Sequence, residues 1–78
     1  METLQYLMII EPSTDEFGDI YGAYFPDLPG CASTGRDLEE LRANAKEALE
    51  VYIEALKATG QPVPPPRMRV EPIRIEAS

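Results

Sequence analysis

The sequence lacks histidine and tryptophan, and it has one cysteine, Cys31, among 78 residues. Without histidine the chain has no side chain of the type that most often acts as a general base, and the usual hydrolytic triads are excluded. A lone cysteine cannot form an internal disulfide, and no histidine is present to join it in a catalytic pair or a zinc site. We therefore interpret Cys31 as a small, partly buried residue.

Long apolar runs and basic residues are also scarce. No apolar run approaches the ~18 residues of a membrane span, and no basic region precedes the first apolar stretch, so a cytoplasmic protein is expected. Seven Lys and Arg stand against fourteen Asp and Glu, for a net charge of −7. Residues 61–78 hold three arginines and two glutamates, so the first sixty residues carry −8. This acidic body is a poor match for nucleic acid and favours a basic protein partner. On charge alone, the alternative is that the acidic surface serves only solubility.

The chain is organised around the segment Phe25–Cys31, with the sequence FPDLPGC. Pro26 and Pro29 each fix φ and remove a backbone donor, so a regular strand cannot run through the segment. Gly30 directly after Pro29 suits the third position of a type II turn. We predict a rigid elbow that turns the chain before a helix, with the side chain of Leu28 directed inward.

Strands are predicted on both sides of the elbow. Apolar and β-branched residues predict three strands before the helix, at Leu4–Ile10, Asp19–Phe25 and Cys31–Thr34. Residues 11–18 are rich in turn formers and are predicted to join the first two strands as an antiparallel hairpin. Alternation predicts a last strand at Met68–Val70, which Pro72 would confine to an edge or a bulge.

A long amphipathic helix is predicted between the elbow and the last strand. Asp37 is a good N-cap, with Glu40 three residues later as its capping-box partner. Apolar residues then recur at spacings of three and four from Leu38 to about Thr59, which corresponds to about six turns. Gly60 and the prolines that follow it end the helix.

The element order is therefore βββαβ, and the simplest packing is an α+β fold. One long helix would cover one face of a small, largely antiparallel sheet of three to four strands. Leu7, Ile9 and Tyr21 would then lie on the uncovered face. An exposed apolar face of this kind favours a homo-oligomer, a dimer or a tetramer.

Five short motifs, spread over most of the chain, match one protein family in type and order. They are YFPDLPGC at 24–31, TG at 34–35, LEE at 38–40, NAKEAL at 44–49 and GQPVPPP at 60–66. Together they resemble the HicB family of bacterial antitoxins. The resemblance implies that residues 1–78 form a single HicB-like domain with a truncated RNase H-like fold. It also implies a HicA-type partner, a small basic ribonuclease that cleaves mRNA.

The chain departs from the fuller pattern of this family after the proline motif. Family members that repress their own operon use a C-terminal helix-turn-helix or ribbon-helix-helix domain, and only twelve residues follow Pro66 here. Direct DNA binding is therefore not expected. The expected role is a non-catalytic antitoxin with no cofactor and no metal, and with partner contacts at Tyr24, Phe25 and Asp27. The alternative for these three residues is a purely structural role in the elbow.

Two other functions stay open on the sequence. One is an orphan oligomeric domain whose partner is not a toxin. The other is a metal-dependent RNase H-like nuclease, for which the available carboxylates are Asp15, Glu16, Asp19 and Asp27. Acidic residues are ordinary in turns, so the nuclease is the weaker alternative.

Overall fold

The computed structural model of the chain describes residues 3–77, with three strands followed by one long helix. The elements are β1 (Ile9–Asp15), β2 (Gly18–Tyr24), β3 (Ala32–Gly35) and α1 (Leu38–Ala58). The strands form one antiparallel sheet in the order β1-β2-β3, and α1 packs on β2 and β3. The predicted α+β fold, a small antiparallel sheet with one long helix, is confirmed.

The first strand lies later in the chain than predicted. Leu4–Ile10 was expected to form it, whereas β1 runs from Ile9 to Asp15 and pairs residue for residue with β2. Its polar residues belong to an exposed hairpin, and Pro12 is tolerated because β1 is an edge strand. The apolar alternation therefore identified residues that pack against the core, but the position of β1 is set by its backbone pairing with β2.

The segment ahead of β1 still contributes to the core. Tyr6 and Met8 pack against the buried cluster formed by the elbow and α1. The hydroxyl of Tyr6 donates a hydrogen bond to the carbonyl oxygen of Pro64, which ties this segment to the chain beyond the helix. The apolar residues around Tyr6 thus pack as irregular chain instead of a strand.

The prediction of a strand at Met68–Val70 is wrong. Within residues 3–77 no strand follows α1, so the order is βββα in place of βββαβ. The apolar alternation is present, but no neighbouring strand pairs with it. The backbone amides of Arg67 and Met68 instead donate to the side chain of Asp27, at 2.9 and 3.1 Å.

The elbow, residues 25–31, is built from two successive β-turns and lies at the centre of the core. The amide of Leu28 donates to the carbonyl of Phe25 at 2.9 Å, and the amide of Cys31 donates to that of Leu28 at 3.0 Å. Gly30 has a φ of 84°, as its predicted place in a type II turn requires. The side chain of Leu28 is fully buried, which confirms its predicted inward orientation.

Six apolar side chains are buried within residues 3–77, so the core is small. They are Ala23, Phe25, Leu28, Cys31, Leu41 and Ala45. Half of them come from the elbow, which therefore joins the sheet to the helix as well as connecting β2 to β3. Burial raises the pKa of the Cys31 thiol, which keeps it protonated.

The helix is capped at both ends by local sequence. The carboxylate of Asp37 accepts from the amide of Glu40 at 2.8 Å, as predicted for the N-cap. The carboxylate of Glu40 accepts from the amide of Arg36, one residue before the position that a regular capping box uses. The negative charges of Glu39 and Glu40 in the first turn also interact favourably with the positive end of the helix dipole.

The C-terminal end of α1 is a Schellman motif. Gly60 has a φ of 71°, and its amide donates to the carbonyl of Lys57 at 3.2 Å. The amide of Gln61 donates to the carbonyl of Leu56 at 2.9 Å, which completes the pair of bonds that defines the motif. The predicted stop at Gly60 is therefore confirmed.

A close approach between β3 and α1 sets how the helix sits on the sheet. Gly35 is buried at the end of β3, and a Cβ atom added there would lie 2.4 Å from the amide nitrogen of Leu41 and 2.7 Å from its Cα. Both atoms belong to the helix backbone, so no side-chain rotation could relieve the clash. Only glycine fits at this position.

We predict that Gly35→Ala lowers the free energy of unfolding by about 1–3 kcal/mol, the usual cost of overpacking a closed interface. Gly22→Ala is the matched control, because a Cβ there would meet only the carbonyl oxygen of Glu11, at 4.0 Å. Its expected change is within ~0.5 kcal/mol. Urea denaturation of the two variants measures both values, and equal losses would contradict the close approach at Gly35.

A bidentate ion pair links the β1–β2 turn to the start of the helix. Arg36 Nη1 donates to Asp15 Oδ1 at 2.9 Å, and Nη2 contacts the second carboxylate oxygen. The guanidinium of Arg36 and the backbone amide of Phe17 hold the pKa of Asp15 below its ordinary value of 3.8. The pair is exposed, so its contribution to stability is small and sensitive to salt.

The depressed pKa of Asp15 predicts a pH-dependent contribution to stability. Its carboxylate is charged in the folded chain at pH values where the unfolded chain begins to bind a proton, so its contribution is complete above pH 3.8 and is lost as the pH falls through the folded value. Asp15→Asn is therefore expected to be less stable than the parent at pH 7, with the difference shrinking below pH 3.8. Thermal melts of both proteins from pH 7 to pH 2.5 measure this difference.

Arg36→Gln removes the other partner and is expected to reproduce the same pH dependence. A stability difference that stays constant across the pH range would show that the ion pair does not lower the pKa of Asp15.

Candidate interaction surface

The three residues predicted to bind a partner lie where β2 runs into the elbow, in three different environments. Tyr24 ends β2 and is 43% exposed, whereas Phe25 is 5% exposed and belongs to the core cluster. Asp27 is half-buried in the elbow. Phe25 thus supports the fold and is not presented on the surface of the chain, so Tyr24 and Asp27 remain as the surface residues of the predicted patch.

The strand register explains why Tyr24 and Phe25 differ. Gly35 contacts the helix and pairs with Tyr21 across β2 and β3, so Tyr21 lies on the face that the helix covers. Side chains alternate along a strand, which places Tyr24 on the opposite face and Phe25 on the helix side. The sequence alone does not show which of these two adjacent aromatic residues faces the helix, whereas the pairing of the strands does.

The face of the sheet away from α1, here called the open face, carries Tyr24 at the end of its central strand. Tyr24 pairs with Ile9 on β1 and with Ala32 on β3, and residues directly opposite each other share a face. The open face was expected to carry Leu7, Ile9 and Tyr21. The expectation is correct for Ile9, whereas Tyr21 lies on the helix face and Leu7 precedes β1.

Asp27 has a structural role that its sequence neighbours do not reveal. Its Oδ2 atom accepts from the amides of Arg67 and Met68, forty and forty-one residues away. The contact fixes the C-terminal segment against the elbow. No local pattern could have indicated it, because the donors are backbone amides distant in the sequence.

The carboxylates proposed for a nuclease are separated in the fold. Asp15, Glu16 and Asp19 lie at the turn between β1 and β2, and Asp27 lies beyond the opposite end of β2. Asp15 is engaged by Arg36, and Asp27 by two backbone amides. Across residues 3–77, no group of three or more His, Cys, Asp or Glu side chains is arranged to hold a metal ion.

The one helix of the described chain is too polar to cross a membrane.

Comparison with known proteins agrees with these features. A family model described as "HicB_like antitoxin of bacterial toxin-antitoxin system" matches residues 6–76. A UPF0150 protein of Synechocystis is 41% identical over 90% of this chain and 85% of its own length. A UPF0150 protein of Thermoplasma acidophilum is 35% identical over 95% of this chain and 100% of its own length.

A solved structure extends the likeness from sequence to fold. A chain in the "HicA3 and HicB3 toxin-antitoxin complex" superposes with a TM-score of 0.62 and is 38% identical in sequence. The match covers 81% of this chain and 70% of that one. The conserved architecture is the antiparallel sheet with one long helix described above. From the family match over residues 6–76 and this shared fold, it follows that the chain belongs to the HicB-like antitoxin family of bacterial toxin–antitoxin systems.

Proposed function

We propose that this chain binds and neutralises a small basic ribonuclease toxin of the HicA type, which cleaves mRNA, and that it does so without catalysis of its own. The observation that carries the proposal is the likeness to a chain in the HicA3 and HicB3 complex, at 38% identity. The toxin acts on mRNA, so the proposal places the complex in the cytoplasm.

Charge supports the same partner. The first sixty residues carry −8, and acidic surfaces accelerate and orient the approach of basic proteins. A toxin that binds RNA must present cationic groups to phosphates. An acidic antitoxin can cover those groups and exclude RNA from them.

Titration of RNA cleavage tests the proposal directly. The toxin-like protein encoded beside this chain is incubated with RNA and increasing amounts of the chain, and cleavage is expected to fall to zero near a fixed molar ratio. Affinity is expected to fall as salt rises from 0.05 to 0.5 M, because the contacts are between opposite charges. Undiminished cleavage with no complex would overturn the proposal. RNA degradation by the chain alone with Mg²⁺ or Mn²⁺ would overturn its non-catalytic part.

The contact surface that we propose is the open face around Tyr24, extended by Asp27 in the elbow. Tyr24 is a half-exposed aromatic residue between Ile9 and Ala32, and tyrosines in such positions are often the main anchors of an interface. Asp27 supplies negative charge next to it. Phe25 acts only through the core that holds these two in place.

We expect Tyr24→Ala to weaken toxin binding by roughly 30-fold or more, the effect of losing an anchor worth ~2 kcal/mol. The melting temperature should change little, because the side chain is exposed in the free chain. Phe17→Ala is the matched control, as Phe17 is 78% exposed in the β1–β2 turn, away from the elbow. Calorimetric titration measures both affinities, and a loss only in Phe17→Ala would relocate the contact to that turn.

Asp27 needs two substitutions, because its carboxylate is also a structural acceptor. Asp27→Asn removes the charge but keeps a carbonyl oxygen for the amides of Arg67 and Met68, so we expect weaker toxin binding with nearly unchanged stability. Asp27→Ala removes the acceptor as well and is expected to cost about 1 kcal/mol of unfolding free energy. Unchanged toxin affinity in Asp27→Asn would leave Asp27 a purely structural residue.

A further inference from the structure

The segment beyond the proline run, here called the C-terminal arm (residues 67–77), is rich in exposed apolar side chains. Four of its side chains are large, apolar and exposed. They are Met68 at 52%, Val70 at 63%, Ile73 at 81% and Ile75 at 77%. The first two and the last two are each spaced by two residues, the spacing that places side chains on one face of an extended strand. Val70 and Ile73 are three residues apart, so the two pairs lie on opposite faces of an extended chain, and each pair is an exposed apolar surface that a partner can cover.

The base of the arm is fixed, although its apolar residues are uncovered. Asp27 accepts from the amides of Arg67 and Met68, and Tyr6 donates to the carbonyl of Pro64 just before them. The prolines at 62 and 64–66 stiffen the approach. An arm held at a defined point loses less conformational entropy on binding than a free tail.

Beyond its base at Arg67 and Met68, the arm is exposed along its whole length, residues 69–77. The radius of gyration is 15.2 Å, whereas a compact chain of this length would have about 11–12 Å. The longest dimension is 52 Å against a shortest of 21 Å. Together with the exposure of Ile73 and Ile75, these dimensions describe a compact body with an extended arm.

The body carries a groove of matching character between β3 and α1. It has a volume of about 590 Å³, and all the residues that line it come from the elbow, β3 and α1, with none from the arm. Small side chains such as Ala32, Ala48 and Ala55 form much of its wall, and Val51 is 59% exposed beside it. β3 is an edge strand of the sheet, so one of its sides is open to a further strand.

The charges of the arm and the body are opposite. Residues 61–78 hold three arginines against two glutamates and sum to +1, whereas the first sixty residues sum to −8. Glu47 lies at the groove itself. Arg74, between Ile73 and Ile75, can therefore meet Glu47 at the rim while these two apolar side chains enter the groove.

From these observations we propose that the C-terminal arm of one copy lies along β3 of a second copy and fills its groove, and that the second copy returns its own arm in the same way. The occupant is a second copy because the arm and the groove are present on each chain and neither is used by the chain that carries it. Reciprocal exchange gives a closed two-fold dimer with no unpaired arm.

The size of such an interface is sufficient for a stable dimer. Each copy would contribute the eleven residues of its arm and the nine that line its groove, twenty in all. Specific interfaces of standard size use roughly 20–30 residues from each side. The exchange and the proposed toxin contact share only Asp27, which fixes the base of the arm, because the groove lies beside α1 and Tyr24 lies on the open face.

Two substitutions that introduce a charge test the arm and the groove separately. Ile73→Glu disables the arm and Val51→Glu disables the groove, and both side chains are mostly exposed in a single copy, so folding should be preserved. Light scattering is expected to show a dimer for the parent and a monomer for each variant, with the dimer dissociation constant raised at least 100-fold. Phe17→Glu, in the β1–β2 turn at a position that is 78% exposed, is expected to remain dimeric.

Mixing the two variants provides the decisive measurement. A copy with a disabled arm keeps an intact groove, and a copy with a disabled groove keeps an intact arm. Their heterodimer therefore has one intact arm–groove contact, so the mixture is expected to form heterodimers that are weaker than the parent dimer, at concentrations where neither variant dimerises alone. A monomeric parent, dimeric variants, or a mixture that stays monomeric would each overturn the proposal. Toxin binding is measured on the same variants. A variant that is monomeric but still binds the toxin has lost only the exchange, whereas a parent chain that does not bind the toxin contradicts the antitoxin function.

Discussion

The burial of Leu28 inside a loop is the contact on which the rest of the molecule depends. Pro26 and Pro29 prevent the loop from continuing a strand, and the two β-turns that result direct Leu28 into the core between the sheet and α1. The same loop supplies Phe25 and Cys31, so three of the six buried side chains arise from seven consecutive residues. A chain of 78 residues has a core that is only marginally large enough for stability. Because half of the buried side chains come from the elbow, the elbow holds the sheet and the helix together.

Features set by local chemistry could be predicted from the sequence. The helix, its N-cap at Asp37 and its stop at Gly60 depend on residues within a few positions of each other, and the structure has all three. The type II turn at Gly30 is local in the same sense. The five motifs spread from Tyr24 to Pro66, taken together, also sufficed to identify the family.

Features set by pairing between distant segments could not be predicted in the same way. β1 is defined by its partners on β2, and its polar residues resemble a turn when read alone. The alternation at Met68–Val70 resembles a strand, yet its backbone amides are directed to Asp27. For the interaction surface, the adjacent aromatics Tyr24 and Phe25 look equivalent in sequence, and only the register separates a surface residue from a core residue.

The long-range hydrogen bonds made by the segment after the helix also constrain the order in which the molecule can be completed during synthesis. The sheet, the elbow and α1 are made from neighbouring stretches of chain, so their contacts can form early and quickly. The bonds from Tyr6 to Pro64 and from Arg67 to Asp27 span 58 and 40 residues. They can form only after the whole helix has left the ribosome, at the ~5–20 residues per second of translation. The sheet, the elbow and α1 of a nascent chain can therefore fold before Arg67 and Met68 have emerged, and at that stage the Asp27 carboxylate does not yet accept their hydrogen bonds.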